Sequence, residues 1–223
     1  MADLSDPAAF SPHDGRSKLA EEWDRRYAST PQVFRAEPDE SLVELASPLS
    51  PGRAVDLGAG EGRNSLWLAR QGWRVVAVDA SRVALDRLAR AAALEGLPVE
   101  TVVDDLVSYL AAARLGAVVF DLVVLAYVHP DPPRRAELLA AAAGSLAPDG
   151  RLFVVAHHRS SLGVTGPPDP ARLYTEEDLS GLPGIEVLCL EQRRGHSDVA
   201  EPGRDVVLWA RPAAPGQGRA APG

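Results

Sequence analysis

Short apolar runs alternate with amphipathic stretches along most of this chain. "RAVDL" (53–57), "WRVVAVD" (73–79), "VETVVD" (99–104), "FDLVVLAY" (120–127) and "RLFVVAHH" (151–158) read as successive strands. The unbroken apolar character of 120–127 suits a strand covered on both faces. Between these runs lie helical patterns. "NSLWLARQG" closes on Gly72, and "RVALDRLARAAALE" starts after a capping Ser81 and ends at Gly96. "PRRAELLAAAAGSL" is a further helix, and Asp149-Gly150 predicts a turn into the fifth strand. Thr175 and Asp178 fit a capping box before "EEDLSGL". "IEVLCLEQRR" and "DVVLWARP" are two late strands with no helix between them, so they should pair as a hairpin.

Strand and helix in regular alternation predict an α/β, Rossmann-like doubly wound sheet, mostly parallel, with one antiparallel edge. Right-handed crossovers put ligands beyond the carboxyl ends of its strands, where the strand order reverses. The length of 223 residues suits one domain, expected over 18–212, after a flexible start (1–17) and before a disordered Pro/Gly-rich tail (213–223). The net charge of −8 and the scattered arginines weigh against a nucleic-acid partner, whose phosphates ask for a dense basic patch. No apolar stretch is long enough to span a bilayer, and no signal peptide is evident, so no membrane partner is expected. The lone Cys189 allows no internal disulfide, and a cytoplasmic location follows as the default; in its strand it reads as a core residue.

"VDLGAGEGRN" (55–64) carries Gly58, Gly60 and Gly62 directly after the first strand, at the expected crevice. A glycine loop there lets a ligand approach the main chain. The nicotinamide and flavin fingerprint would need a third glycine where Arg63 stands; here the spacing is GxGxG, preceded by Asp56. Asp56 could bind a ligand or bond the loop's own amides. Asp79 ends the second strand, where a carboxylate accepts from a ribose diol. Asp104 and Asp105 end the third strand. A carboxylate there can accept from the exocyclic amine of adenine, with Leu106 against the ring, and Asp105 is the preferred ligand of the two.

Taken in register, "VDLGAGEGRN", "VVAVDAS", "VVDDL", "FDLVVLAYVHP" and "LAPDGRLFVVAHH" resemble the successive motifs of the class I S-adenosylmethionine-dependent methyltransferases. Within that superfamily they are most similar to bacterial small-molecule enzymes of the tellurite-resistance type. The likeness covers about residues 19–211. It implies seven strands with the last antiparallel, S-adenosyl-L-methionine as cofactor, and transfer of its methyl group to a small-molecule acceptor. It also implies cofactor contacts. Asp56, Gly58, Ala59, Gly60 and Asn64 would lie around the homocysteine end, Asp79, Ala80 and Ser81 at the ribose and adenine, Asp105 and Leu106 at adenine, and Ala126 would offer its carbonyl. The helical "EEWDRRYA" resembles the segment that closes over the methionine end, with Trp23 and Tyr27 as candidates.

Three histidines fall at strand ends facing the crevice: His129, His157 and His158. Any could take a proton from an acceptor hydroxyl or amine, but neighbours on a strand point apart, so His157 and His158 should not both face it. No spaced acid cluster accompanies them, so no metal is expected. His196 lies in the loop before the last strand, at the solvent or the pocket rim. "DPP" (131–133) reads as a turn with proline opening a helix rather than as an amine-binding motif, because Arg134 stands where an aromatic would be needed. Residues 1–30, 128–135 and the loop "RSSLGVTGPPDPARLY" would choose the acceptor. The rival readings are a non-catalytic S-adenosylmethionine-binding protein and a nicotinamide-dependent oxidoreductase.

Overall fold

The structure is a computed structural model that describes residues 17–195 and 203–214. Seven strands form one sheet in the order β3-β2-β1-β4-β5-β7-β6. These are β1 Arg53–Leu57, β2 Arg74–Asp79, β3 Val99–Val103, β4 Phe120–Ala126, β5 Leu146–His157, β6 Ile185–Arg194 and β7 Arg204–Pro212. Every pair from β3 to β5 is parallel, and β7 runs antiparallel between β5 and β6. The strand order reverses between β1 and β4, so the crevice opens beside the glycine loop.

The apolar runs are strands because alternate residues feed two separate cores. Val55, Val123, Leu125 and Val154 face the layer of α5 (Leu106–Leu115), α6 (Pro132–Ala143) and α7 (Glu176–Ser180). Ala54, Leu122, Val124, Phe153 and Val155 face α2 (Glu40–Ala46) and α3 (Arg63–Arg70), with Trp73 buried among them. Half-buried Cys189 packs against this second core. α4 (Arg82–Glu95) covers β2 through Leu85 and Leu88, and α1 (Lys18–Ala28) lies against α4.

The caps stand where the sequence puts them. Ser81 accepts from the Ala84 amide, Gly96 ends α4 in the left-handed region, and the Thr175–Asp178 capping box is formed. Asp131 caps α6 with proline at its first position, as "DPP" suggested. Ser17 caps α1, and the Ala213 amide bonds the Gly184 carbonyl.

Three features differ from expectation. Asp149-Gly150 is no turn before the strand: β5 already pairs at Leu146 with Phe120, and residues 147–150 are absorbed as a register shift before Arg151 pairs Leu122. Gly150 permits this, because a Cβ there would sit 2.7 Å from the Phe120 carbonyl oxygen. The helices α5 and α2 are additional, each started by an aspartate cap, Asp105 and Asp39. No helix among the described residues is long and apolar enough to cross a membrane.

Candidate functional site

The glycine loop turns the chain from β1 into α3. Gly58, Gly60 and Gly62 all have positive φ, at 77°, 55° and 84°. What approaches them so closely is the protein itself. A Cβ at Gly58 would lie 2.6 Å from Val128, one at Gly60 2.6 Å from the Tyr27 hydroxyl, and one at Gly62 2.2 Å from Leu88. Gly62, at the start of α3, therefore permits the close packing of α3 on α4. The Gly58 and Ala59 amides bond the Val78 carbonyl, tying the loop to β2.

Asp79 is buried at the end of β2, and its two oxygens accept the Gly60 and Ser81 amides, each at 2.8 Å. Burial raises its pKa, and those amides oppose the shift. Each oxygen keeps a further lone pair that a hydroxyl can use. Asp56 shares the α3 side of β1 with Ala54, and Ser65 of α3 donates to it at 2.6 Å. Its carboxylate thus bonds inside the scaffold, through a side chain rather than the loop amides.

Complete burial pushes the Asp56 pKa from 3.8 up to about 6, against the Ser65 hydrogen bond. Between those values the folded chain keeps a proton that the unfolded chain has released. The Asp56 contribution to stability is therefore full below pH 3.8 and lost as pH rises through 6. At about 1.4 kcal/mol per pKa unit the loss is on the order of 3 kcal/mol. Asp56→Asn should gain stability relative to the parent across this window, by an increment that grows from pH 4 to pH 6. Urea unfolding of both proteins over that range measures it, and a pH-independent difference contradicts the assignment.

The remaining expected cofactor contacts are placed unevenly. The Ser81 hydroxyl donates to Asp24 of α1 at 2.7 Å and caps α4, so it is committed within the chain. The buried Asn64 accepts the Asp39 amide at 2.9 Å and thereby fixes the start of α2. Asp105 is half exposed and caps α5, and its Oδ1 takes the Val107 and Ser108 amides, the Ser108 hydroxyl and Arg134. Partial burial works against it, yet Ser108 and Arg134 hold its pKa below the usual value. Asp104 accepts the Asp105 amide. Half-buried Ala80 follows Asp79, Leu106 opens α5, and Ala126 ends β4. Tyr27 is buried, with Trp23 against it at 5.8 Å. Arg87 secures this cover by donating to the Tyr27 and Thr30 carbonyls and to Glu61.

The histidines divide as the strand geometry requires. His158 accepts the Ser160 amide at the start of a short 3₁₀ turn and lies 3.2 Å from Glu176. His157 and His129 stack in parallel, 5.2 Å apart. His157 Nδ1 lies 2.9 Å from Asp205 of β7, whose other oxygen accepts from the Tyr127 hydroxyl at 2.8 Å. The same hydroxyl lies 3.2 Å from Asp39. Tyr127 takes a positive φ of 58°, a costly conformation for a residue with a Cβ, and Arg63 lies over its ring at 5.1 Å. A cleft of about 110 Å³ beside α2 is bordered by Asp39, Ser41, Tyr127, Asp205 and Arg193, and by neither histidine. Burial pulls the His129 pKa down to about 4, and its Nδ1 faces the Arg172 carbonyl. Asp205 and Asp39 carried no motif in the sequence, and Tyr127 stood in the fourth-strand motif without a role of its own. His196 lies outside the described residues, among which no cluster of metal-ligating side chains occurs.

A switch-point glycine loop, acids at the ends of β2 and β3, and an antiparallel β7 inserted beside β5 together define the class I methyltransferase fold. Residues 54–150 match a family profile described as a methyltransferase domain. Ribosomal RNA small subunit methyltransferase C of Alcanivorax borkumensis is 36% identical over 146 residues, which are 60% of this chain and 43% of the relative. The chain thus spans less than half the length of that curated relative. Among solved structures, the N-methyltransferase NodS of Bradyrhizobium japonicum, in complex with S-adenosyl-L-homocysteine, superposes with a TM-score of 0.69 at 16% identity, over 89% of this chain and 100% of that one. TehB of Haemophilus influenzae superposes with a TM-score of 0.61 at 21% identity, over 87% and 67%.

Proposed function

We propose that the protein binds S-adenosyl-L-methionine across the carboxyl ends of β1, β2 and β3 and transfers its methyl group to a small-molecule acceptor. The observation that carries this reading is buried Asp79, held by two backbone amides beside a positive-φ glycine loop, with lone pairs left for a diol. These residues fit the cofactor. Asp79 would hold its ribose, and Asp105, through the oxygen not used in the cap, with Leu106 would hold its adenine. Gly58, Ala59, Gly60 and the Ala126 carbonyl would line its amino-acid end, closed by Tyr27. Ala80 would line the ring, while Asp56, Asn64 and Ser81 act by holding these parts in place.

The bound cofactor supplies an electrophilic methyl group on a sulfonium, so the chain's own task is alignment and exclusion of water. The scaffold serves this by fixing Asp79, the loop and the Tyr27 cover against one another. A cytoplasmic location and a small acceptor belong to the same reading and rest on the single cysteine and the net charge of −8. The relative named for ribosomal RNA makes RNA an arm of the test. Calorimetry should show S-adenosyl-L-homocysteine binding, and NADH should give none. Absence of homocysteine-product binding by folded protein overturns the function. Methyl transfer to ribosomal RNA, with none to small molecules, overturns the acceptor class.

A further inference from the structure

The geometry points to His157, held by Asp205 and Tyr127, as the group that takes the acceptor's proton, and hence to a hydroxyl or ammonium acceptor. This deepens the reading of the site as a methyl-transfer centre and rests on it. A carboxylate only accepts, so the hydrogen between His157 and Asp205 sits on Nδ1, and Nε2 keeps its lone pair. Asp205 is itself 3% exposed and fixed by the Tyr127 hydroxyl on its other oxygen. A buried carboxylate behind an imidazole orients the ring and stabilises the imidazolium once a proton arrives.

The neighbouring histidine lacks this support. His129 is backed only by a backbone carbonyl, and its Nε2 is wholly buried with no partner among the described residues. Its parallel ring serves instead as a wall for His157, whose side chain is a fifth exposed. The centre adjoins the cofactor loop, since Val128, between Tyr127 and His129, packs on Gly58. It also adjoins the loop expected to choose the acceptor. A Cβ at Gly166 would lie 2.7 Å from His157 Cδ2, the carbon next to Nε2.

In the step, an ammonium acceptor first gives a proton to His157 Nε2, whereas a hydroxyl gives it as attack proceeds, and the heteroatom's free pair bonds the methyl carbon as the carbon–sulfur bond breaks. The bonding pair stays on sulfur, the acceptor proton passes to His157 Nε2, and it later leaves to water. With a hydroxyl acceptor the positive charge thus moves from sulfonium to imidazolium; with an ammonium acceptor the methylated nitrogen carries the sulfonium's charge and the imidazolium carries the charge of the proton it took. A tellurium or selenium oxyanion already carries its free pair and gives His157 no proton to take. A thiolate would need no base.

Long-range ¹H–¹⁵N spectra of histidine-labelled protein, loaded with S-adenosyl-L-homocysteine, test the arrangement without turnover. The ring of His157 should show the Nδ1–H tautomer. Asp205→Asn should abolish that preference, Tyr127→Phe should weaken it, and Asp205→Glu should restore part of it. An Nε2–H tautomer in the parent, or a signal indifferent to Asp205→Asn, overturns the inference while cofactor binding stands. A loss of binding in the parent marks failure of the methyltransferase reading instead. Transfer assays with catechol, benzylamine, benzenethiol and tellurite complete the test. Methylation of catechol or benzylamine, lowered at least a hundredfold in His157→Ala, supports the acceptor class. Transfer to benzenethiol or tellurite only, or to none of the four by protein that binds the cofactor, overturns it.

Discussion

Asp79→Asn is expected to weaken S-adenosyl-L-homocysteine binding by about a hundredfold, equivalent to about 2.7 kcal/mol. The proposed contacts are two hydrogen bonds from a ribose diol to a charged acceptor, each worth roughly 1.5–3 kcal/mol, and an amide replaces one accepting oxygen by a donor. The same substitution faces that donor toward the Gly60 or the Ser81 amide, both of which now donate to the carboxylate. One buried N–H is left unmet, at a cost of about 1–3 kcal/mol in stability. Binding is therefore measured by calorimetry well below the variant's unfolding midpoint. Ser65→Ala serves as the comparison, because it disturbs buried Asp56 under the same loop without touching Asp79. Equal affinities of the Asp79→Asn variant and the parent would remove Asp79 from the cofactor site.

The second large effect falls on the fold. Gly62→Ala should cost about 2–5 kcal/mol. Left-handed backbone at φ 84° disfavours a Cβ by roughly 1–2 kcal/mol, and the added methyl would meet Leu88 Cδ1 at 2.2 Å, forcing a shift that costs about 1–3 kcal/mol more. Gly96 separates the two contributions. It also has positive φ, at 65°, but a Cβ there meets nothing within 4 Å. Gly96→Ala should therefore lose only the backbone part, about 1–2 kcal/mol. Urea unfolding of the two variants gives the comparison, and equal losses would show that the α3–α4 contact is not tight.

The strands were legible because each is a compact apolar run whose alternate residues fill two cores, and the α4 and α7 caps were legible because Ser81, Gly96 and Thr175 act on amides within a few residues. α5 escaped notice because "LVSYLAAARL" is apolar on most of its faces and shows little helical periodicity; the usable signs were Asp105 as cap and Gly116 at its end. α2 spans only 7 residues, too short to display a period. The turn expected at Asp149-Gly150 failed because pairing with Phe120 begins upstream of it, and pairing is decided by the neighbouring strand.

By itself the sequence determined the alternation of elements, the glycine loop and the acid at the end of β2, since these rest on contacts between near neighbours in the chain or on the intrinsic freedom of glycine. The tertiary structure alone decided which polar side chains share the proposed acceptor side. Tyr127 meets Asp205 across 78 residues and Asp39 across 88, and His157 finds its carboxylate 48 residues away. No local pattern encodes such meetings. They follow from the insertion of β7 antiparallel against β5, which sets Asp205 opposite His157, and from the packing of α2 beside them.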